Sequence, residues 1–156
     1  MSINTYQKAK ELISSEGALA DFVGGCSEEL IRLAERKLNL SFSPIYKNYL
    51  RSFGAGNFGS QEVYGIIDKN FVNSSVPDAI WFTLSEREEI DLPDTLLVIY
   101  DTGSDELYCL DFNQIEASGE PKVVSFIPGV NIGDQTYEVI ADDFGDYLLD
   151  LVEREL

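Results

Sequence analysis

Apolar residues recur at intervals of three and four along four segments of the chain, the spacing that places them on one side of an α-helix. The first predicted helix covers about Thr5–Ser15. The second and third begin after Ser27 and Ser43, residue types that favour the position before a helix, and the last opens with Asp142 and Asp143. The positions predicted to be buried are Tyr6, Ala9, Leu12 and Ile13, then Leu30, Ile31, Ala34 and Leu38, then Tyr46, Tyr49, Leu50 and Phe53, and finally Phe144, Tyr147, Leu148, Leu151 and Val152.

Between the third and last helices the pattern changes to short runs rich in β-branched and aromatic residues, which favours β-strands. Clusters of Gly, Pro, Asn and Asp separate the runs, as turns require. The loop Asp101–Asp105 is short enough for a hairpin, and Gly103 can adopt the positive φ that such a loop needs. The predicted strands are Gln61–Ile67, Leu96–Tyr100, Glu106–Phe112, Lys122–Ile127 and Thr136–Ile140.

The segment Val76–Ile90 fits either a helix or a strand, because Pro77 suits the start of a helix whereas Trp81 and Phe82 suit a strand. We favour the helix. Helices on either side of a run of strands indicate an α+β fold, with a mostly antiparallel sheet of about five strands and helices packed at its side. The chain has 156 residues, 44% of them apolar, which is enough for one core and too few for two ordinary domains. Residues 1–156 are therefore expected to form one domain.

The acidity of the chain is concentrated in its second half. The net charge is −17, and residues 81–156 carry 3 Lys and Arg against 19 Asp and Glu, whereas residues 1–80 carry 8 against 9. Such a field repels nucleic acid and anionic membranes, because binding to both depends on Lys and Arg. It favours a basic protein as the partner, although an acidic surface that only prevents aggregation is the simpler interpretation. With no run of about 20 apolar residues and no signal peptide, a cytoplasmic location is expected.

The sequence lacks the residues of many common catalytic sites. It contains no His, which removes Ser-His-Asp triads and Cys-His dyads. Cys26 and Cys109 show no metal-ligand spacing and are expected to be core or surface thiols. The string Gly54–Gly59 matches the G-x-G-x-x-G pattern of dinucleotide-binding loops, but it follows a predicted helix instead of a strand. The end of a helix followed by a turn is the better interpretation, and no cofactor or metal ion is expected.

Carboxylates are the abundant candidates for chemistry. Two of them could act as general acid and base, as in glycoside hydrolysis, if burial raised one pKa, but nothing in the sequence brings a pair together. The loop Asp101–Asp105 lacks the further oxygen ligands of a calcium site. We therefore expect most of these side chains on solvated faces. They form three groups, namely Glu86, Glu88, Glu89, Asp91 and Asp94, then Asp101, Asp105 and Glu106, then Asp142, Asp143, Asp146 and Asp150.

Several motifs resemble those of the SUKH superfamily in their order and spacing. The first set consists of Ser27–Glu35, Leu38–Leu40, Ser43-Pro44, Tyr46–Leu50, Phe53–Gly56 and Tyr64-Gly65, and resembles the N-terminal signature of the superfamily. The second set consists of Leu107–Asp111, Gly119–Val124 and Ile140–Leu148, and resembles its strand pair, the strand that follows and its closing helix. The similarity covers nearly the whole chain.

The resemblance implies a SUKH-like fold without catalytic residues, in a superfamily typified by bacterial toxin-immunity proteins and by a fungal regulator of cell-wall synthesis. It implies an immunity protein, or antitoxin, that neutralises a cognate polymorphic toxin by direct contact, with a nuclease such as a ribonuclease as the expected toxin. A nuclease presents a basic groove to nucleic acid, which fits an acidic partner. The alternative is an interaction module or regulatory adaptor of the same fold. The toxin-binding residues are expected to be Glu86, Glu88, Glu89, Asp91, Asp94, Asp101, Asp105 and Glu106, with Asp142 and Asp143 as the second choice.

Overall fold

The computed structural model describes residues 2–115 and 117–156, which form five α-helices and seven β-strands. The helices are α1 (Ser2–Ser15), α2 (Glu28–Leu38), α3 (Pro44–Ser52), α4 (Ala79–Ile90) and α5 (Phe144–Arg154). The strands are β1 (Ala20–Phe22), β2 (Gly56–Phe58), β3 (Gln61–Val63), β4 (Leu96–Asp101), β5 (Leu107–Ile115), β6 (Pro121–Phe126) and β7 (Val139–Ala141). A short 3-10 helix covers Ile132–Asp134.

The strands form two antiparallel sheets, one with the order β1-β2-β3 and one with the order β4-β5-β6-β7. In the larger sheet Leu110 of β5 faces Leu97 of β4 on one side and Val123 of β6 on the other. The predicted α+β class with antiparallel strands is confirmed. The strands number seven where about five were expected, because β1 and β2 are three residues long and too short for an alternating pattern to show.

The predicted helices are confirmed, and side chains at their first residues explain where most of them begin. Ser27 accepts a hydrogen bond from the N–H group of Leu30 (3.1 Å), and Asp143 accepts one from the N–H group of Asp146 (2.9 Å). The favoured helix within Val76–Ile90 is also confirmed, but it begins at Ala79 because the buried carboxylate of Asp78 caps it. Local capping therefore sets these boundaries.

Helix α3 begins after Ser43 as predicted, but the cap is supplied from elsewhere. The side chain of Ser43 makes no capping hydrogen bond. The carboxylate of Glu120, which is 3% exposed and precedes β6, accepts the hydrogen bond from the N–H group of Ile45 (3.3 Å). A residue 75 positions away in sequence thus holds the start of α3 against the large sheet.

Two predicted strands are longer than the observed ones. The segment Gln61–Ile67 leaves the sheet after Val63, because the N–H group of Gly65 donates to the carbonyl of Pro77 (2.9 Å) and that of Ile66 donates to the carbonyl of Gly54 (3.0 Å). The prediction for Thr136–Ile140 is wrong over residues 136–138, because Tyr137 has a φ of +49°, in the left-handed region that a strand excludes. Pairing resumes at β7.

The glycine string begins where α3 ends, as predicted. Gly54 has a φ of +78°, which stops the helix, and residues 56–58 then form β2. A Cβ atom on Gly56 would overlap the carbonyl oxygen of Asp21 in β1. Close packing of two strands therefore accounts for the second glycine of the string.

The main core lies between the helices and one face of the large sheet, and an aromatic cluster occupies its centre. The hydroxyl groups of Tyr46 and Tyr49 on α3 donate to the carbonyls of Tyr64 (3.0 Å) and Val63 (2.9 Å). The ring of Phe144 lies 5.0 Å from that of Tyr46 and 5.2 Å from that of Tyr49, measured between centroids. This cluster joins α3, the end of β3 and the start of α5.

Replacing Phe144 with Ala is expected to lower the free energy of unfolding by about 3–5 kcal/mol, because its ring is fully buried and the truncation leaves a cavity. Phe53 was also predicted to be buried, but it is only half-buried and packs against Phe22 at the rim of the core. Phe53→Ala should therefore cost clearly less than Phe144→Ala in chemical denaturation. Equal losses for the two variants would contradict this packing.

Burial raises the pKa of Glu120 above its ordinary value, and the nearby charge of Asp143 adds to this effect. The folded protein therefore keeps the proton of Glu120 at pH values where the unfolded chain has released it, so the contribution of this group to stability decreases as the pH rises above about 4.5. In Glu120→Gln this decrease should be absent. Denaturation of both proteins between pH 4 and 8 tests it, with the exposed Glu88→Gln as the control, and a difference independent of pH would contradict the prediction.

Candidate protein-binding surface

The acidic residues on and after α4 lie at the surface, as expected for a binding face. Glu88, Glu89, Asp91 and Asp94 are exposed, whereas Glu86 is half-buried. Burial raises the pKa of Glu86, and the charges of Glu89 and Asp101 raise it further. The charge of Asp101 therefore reaches α4, and we call the carboxylates of residues 86–94 and 101–106 the acidic region.

Part of the charge on this region is already used within the protein. Arg87 donates to the backbone carbonyl of Asp94 (2.9 Å), and its Nε atom lies 3.7 Å from the carboxylate of the same residue. In the β4–β5 hairpin, Asp101 accepts a hydrogen bond from the N–H group of Gly103 (2.9 Å), and Glu106 accepts one from the hydroxyl of Ser125 (3.1 Å). Asp94, Asp101 and Glu106 therefore also have structural roles, while Asp105 is exposed in the loop.

The two residues chosen from the last helix differ from each other. Asp142 is exposed, whereas Asp143 is 3% exposed and caps α5. Asp143 is thus placed inside the fold, and only Asp142 presents its carboxylate at the surface. The difference arises because an N-cap side chain turns back toward the N–H groups of its own helix.

A cleft lies beside α5, which we call the α5 cleft, and Asp142 is the one predicted toxin-binding residue that lines it. It has a volume of about 690 Å³ and lies between α5, the ends of β4 and β5, and β7. The residues that matter for its chemistry are Tyr100, Tyr108, Asp142, Asp146, Tyr147 and Asp150. The spacing of Asp146 and Asp150 indicates that both lie on one face of a helix. Tyr100 and Tyr108 come from two strands, and only the fold brings them to the cleft.

The buried carboxylates of Asp78 and Glu120 lie outside the α5 cleft and have structural roles. Burial raises the pKa values of Asp78 and Glu120, which cap α4 and α3. Burial also raises the pKa of the Cys26 thiol to about 11 and that of the buried Cys109 further, which disfavours the nucleophilic thiolate. Within residues 2–115 and 117–156, no three Cys, Asp or Glu side chains form a group that could hold a metal ion.

The two antiparallel sheets and the helices around them form a small α+β fold with an acidic surface. The chain belongs to the SUKH_5 family, described as SMI1-KNR4 cell-wall, because the family model matches residues 1–153. This confirms the resemblance to the SUKH superfamily. No curated protein matches the chain in a sequence comparison. In the part of the chain that the structure describes, no helix is long and apolar enough to cross a membrane.

Proposed function

We propose that this protein is an immunity protein that binds one cognate polymorphic toxin in the cytoplasm and neutralises it by direct contact, without catalysis. The observation that carries the proposal is a strongly acidic surface on a domain of the SUKH family. The expected toxin is a nuclease, with a ribonuclease favoured. Neither a cofactor nor a bound metal ion is part of the proposal.

Electrostatics supports a nuclease as the partner. A nuclease must hold the phosphate backbone with Lys and Arg, so its active-site groove is basic. The second half of this chain carries a net charge of −16, and most of the acidic residues on and after α4 and in the hairpin are exposed. Opposite potentials accelerate association and disfavour wrong partners, which is what protection against a single toxin requires.

The alternative is a regulatory adaptor that binds a partner of the cell that makes it. The description of the matching family refers to the cell wall, which favours this alternative. An adaptor would use the same acidic surface but would need no toxin gene beside its own. The neighbouring reading frames therefore distinguish the two functions.

Co-expression with the neighbouring gene product tests the proposal. We would express the C-terminal domain of the large protein encoded beside this gene in a bacterial host and measure growth with and without the full chain. The immunity function predicts that the domain stops growth, that this chain restores it, and that the two purified proteins form a complex. An unrelated acidic protein of similar charge is the control. If no neighbouring product is toxic, or if the chain does not protect, the immunity proposal is overturned.

The same complex provides a prediction about the acidic residues of α4. Replacing Glu86, Glu88, Glu89, Asp91 and Asp94 with the neutral amides should slow association roughly tenfold at low salt and flatten its dependence on ionic strength. The melting temperature should change little, because four of the five side chains are exposed and exposed charges contribute little to folding. Stopped-flow association measured from low to high salt checks the rate and its salt dependence, and thermal denaturation checks the melting temperature.

A matched control variant neutralises five exposed residues of the first half and so removes the same charge there. These residues are Glu11, Glu16, Asp21, Glu28 and Glu29. This variant should retain most of the association rate of the parent protein. If the two variants slow association equally, net charge alone controls the rate. The carboxylates of α4 would then be a solvated face rather than a binding surface.

A further inference from the structure

The α5 cleft combines negative charge with aromatic walls. Asp146 and Asp150 lie one turn apart on α5, Asp142 precedes the helix, and all three line the cleft. The side chains of Tyr100 and Tyr108 line it from the sheet, with ring centroids 6.1 Å apart. A cleft with acidic groups on one edge and flat rings beside them suits a planar cation.

The protein neutralises only part of this charge. Arg154 pairs with Asp150 at one end of the cleft (2.5 Å), and Thr5 donates a hydrogen bond to one oxygen of Asp146 (2.6 Å). Burial raises the pKa of Tyr108, the charges of Glu106 and Glu138 raise it further, and the charge of Arg154 lowers it. The charges of both Glu residues therefore reach the cleft. The carboxylates of Asp142 and Asp146 thus leave a negative site beside the rings.

The hydroxyl group of Tyr147 is an independent sign of a ligand. Tyr147 is 5% exposed and lines the cleft, yet its hydroxyl has no hydrogen-bond partner among the residues that the structure describes. Its ring packs against those of Tyr108 and Phe144, with centroid distances of 6.3 and 6.1 Å. A buried hydroxyl without a partner is unfavourable. A donor entering the cleft would provide the missing hydrogen bond, with the oxygen of Tyr147 as the acceptor.

The cleft is also held in a fixed shape, because α5 is anchored at both ends. Asp143 caps its start, and Glu155 just beyond its last turn accepts hydrogen bonds from the N–H group and the hydroxyl of Ser60 (2.8 and 2.9 Å) and from the side chain of Gln61 (3.2 Å). Because these contacts fix the helix before any ligand arrives, binding costs little reorganisation.

We propose that the α5 cleft receives an arginine side chain from a partner protein. The guanidinium group is planar, stacks on aromatic rings and carries five N–H donors, enough for a carboxylate and a tyrosine oxygen at once. The ammonium group of lysine has no flat face and fits the same walls less well. The identity of the partner as a basic toxin rests on the function proposed above, whereas the preference of the cleft for a guanidinium group does not.

Titration of the full chain with N-acetyl-arginine methylamide tests the site without any partner. Two-dimensional NMR spectra should show saturable shifts confined to α5 and to the strand ends around Tyr100 and Tyr108, with a dissociation constant on the order of millimolar. The citrulline analogue, which has the same shape but no charge, should cause no such shifts. The lysine analogue should bind several-fold more weakly.

Two conservative variants separate binding from folding. Tyr147→Phe removes only the unpartnered hydroxyl, so the protein should be at least as stable as the parent while its affinity for the arginine probe falls about tenfold. Asp142→Asn, at an exposed position, should also lower the affinity for the probe without lowering the melting temperature. Glu89→Gln on α4, which lies outside the cleft, is the matched control for the loss of one charge and should bind as the parent does.

The outcomes distinguish this proposal from the immunity function. If Tyr147→Phe binds the probe as well as the parent, or if the shifts are spread over the acidic surface, the arginine site is overturned. If the probe binds as expected but the chain does not protect against the toxin, the immunity function fails and the site stands. If the chain protects and the Tyr147→Phe, Asp142→Asn double variant protects equally, the cleft is not the place where the toxin binds.

Discussion

Two hydrogen bonds from buried tyrosines hold the parts of this fold together. Tyr46 and Tyr49 on α3 donate to the carbonyls of Tyr64 and Val63, at the point where the chain leaves the small sheet. Both hydroxyl groups are buried, and a buried hydroxyl is tolerated only when it is paired. The rings of the same two residues contact Phe144, so the orientation of α5 depends on the position of α3. Since α5 forms one wall of the α5 cleft, this cluster also determines the shape of the cleft.

Tyr147 differs from these two tyrosines in the hydrogen bonding of its hydroxyl group. All three are buried residues of the main core, and burial raises the pKa values of all three. Tyr46 and Tyr49 have a carbonyl acceptor each, whereas the hydroxyl of Tyr147 has no partner among the described residues. This unpaired hydroxyl in a residue that lines the cleft is the observation on which the proposed arginine site rests.

Most of the fold was predictable because its signals are local. The caps at Ser27 and Asp143, and the glycine at the end of α3, lie within a few residues of the boundaries that they set. The cap of α3 was not predictable, because Glu120 comes from the other half of the chain. The α5 cleft was not predictable for the same reason, because its walls bring Tyr100 and Tyr108 together with the last helix. The division of acidic residues into surface groups and buried caps also depends on tertiary structure, and adjacent residues such as Asp142 and Asp143 fall on opposite sides of that division.

Helix α5 shows how stability and recognition can coexist in one element. Phe144 and Leu148 are buried in the core, while Asp150 of the same helix is exposed and lines the cleft. Tyr147 lies between the two surfaces, with its ring packed in the core and its side chain lining the cleft. Because the ring supplies the packing and the oxygen supplies the polarity, the core can keep its shape while the polar groups facing the cleft change. A fold of this kind can therefore preserve its stability while the groups that a partner meets are altered one at a time.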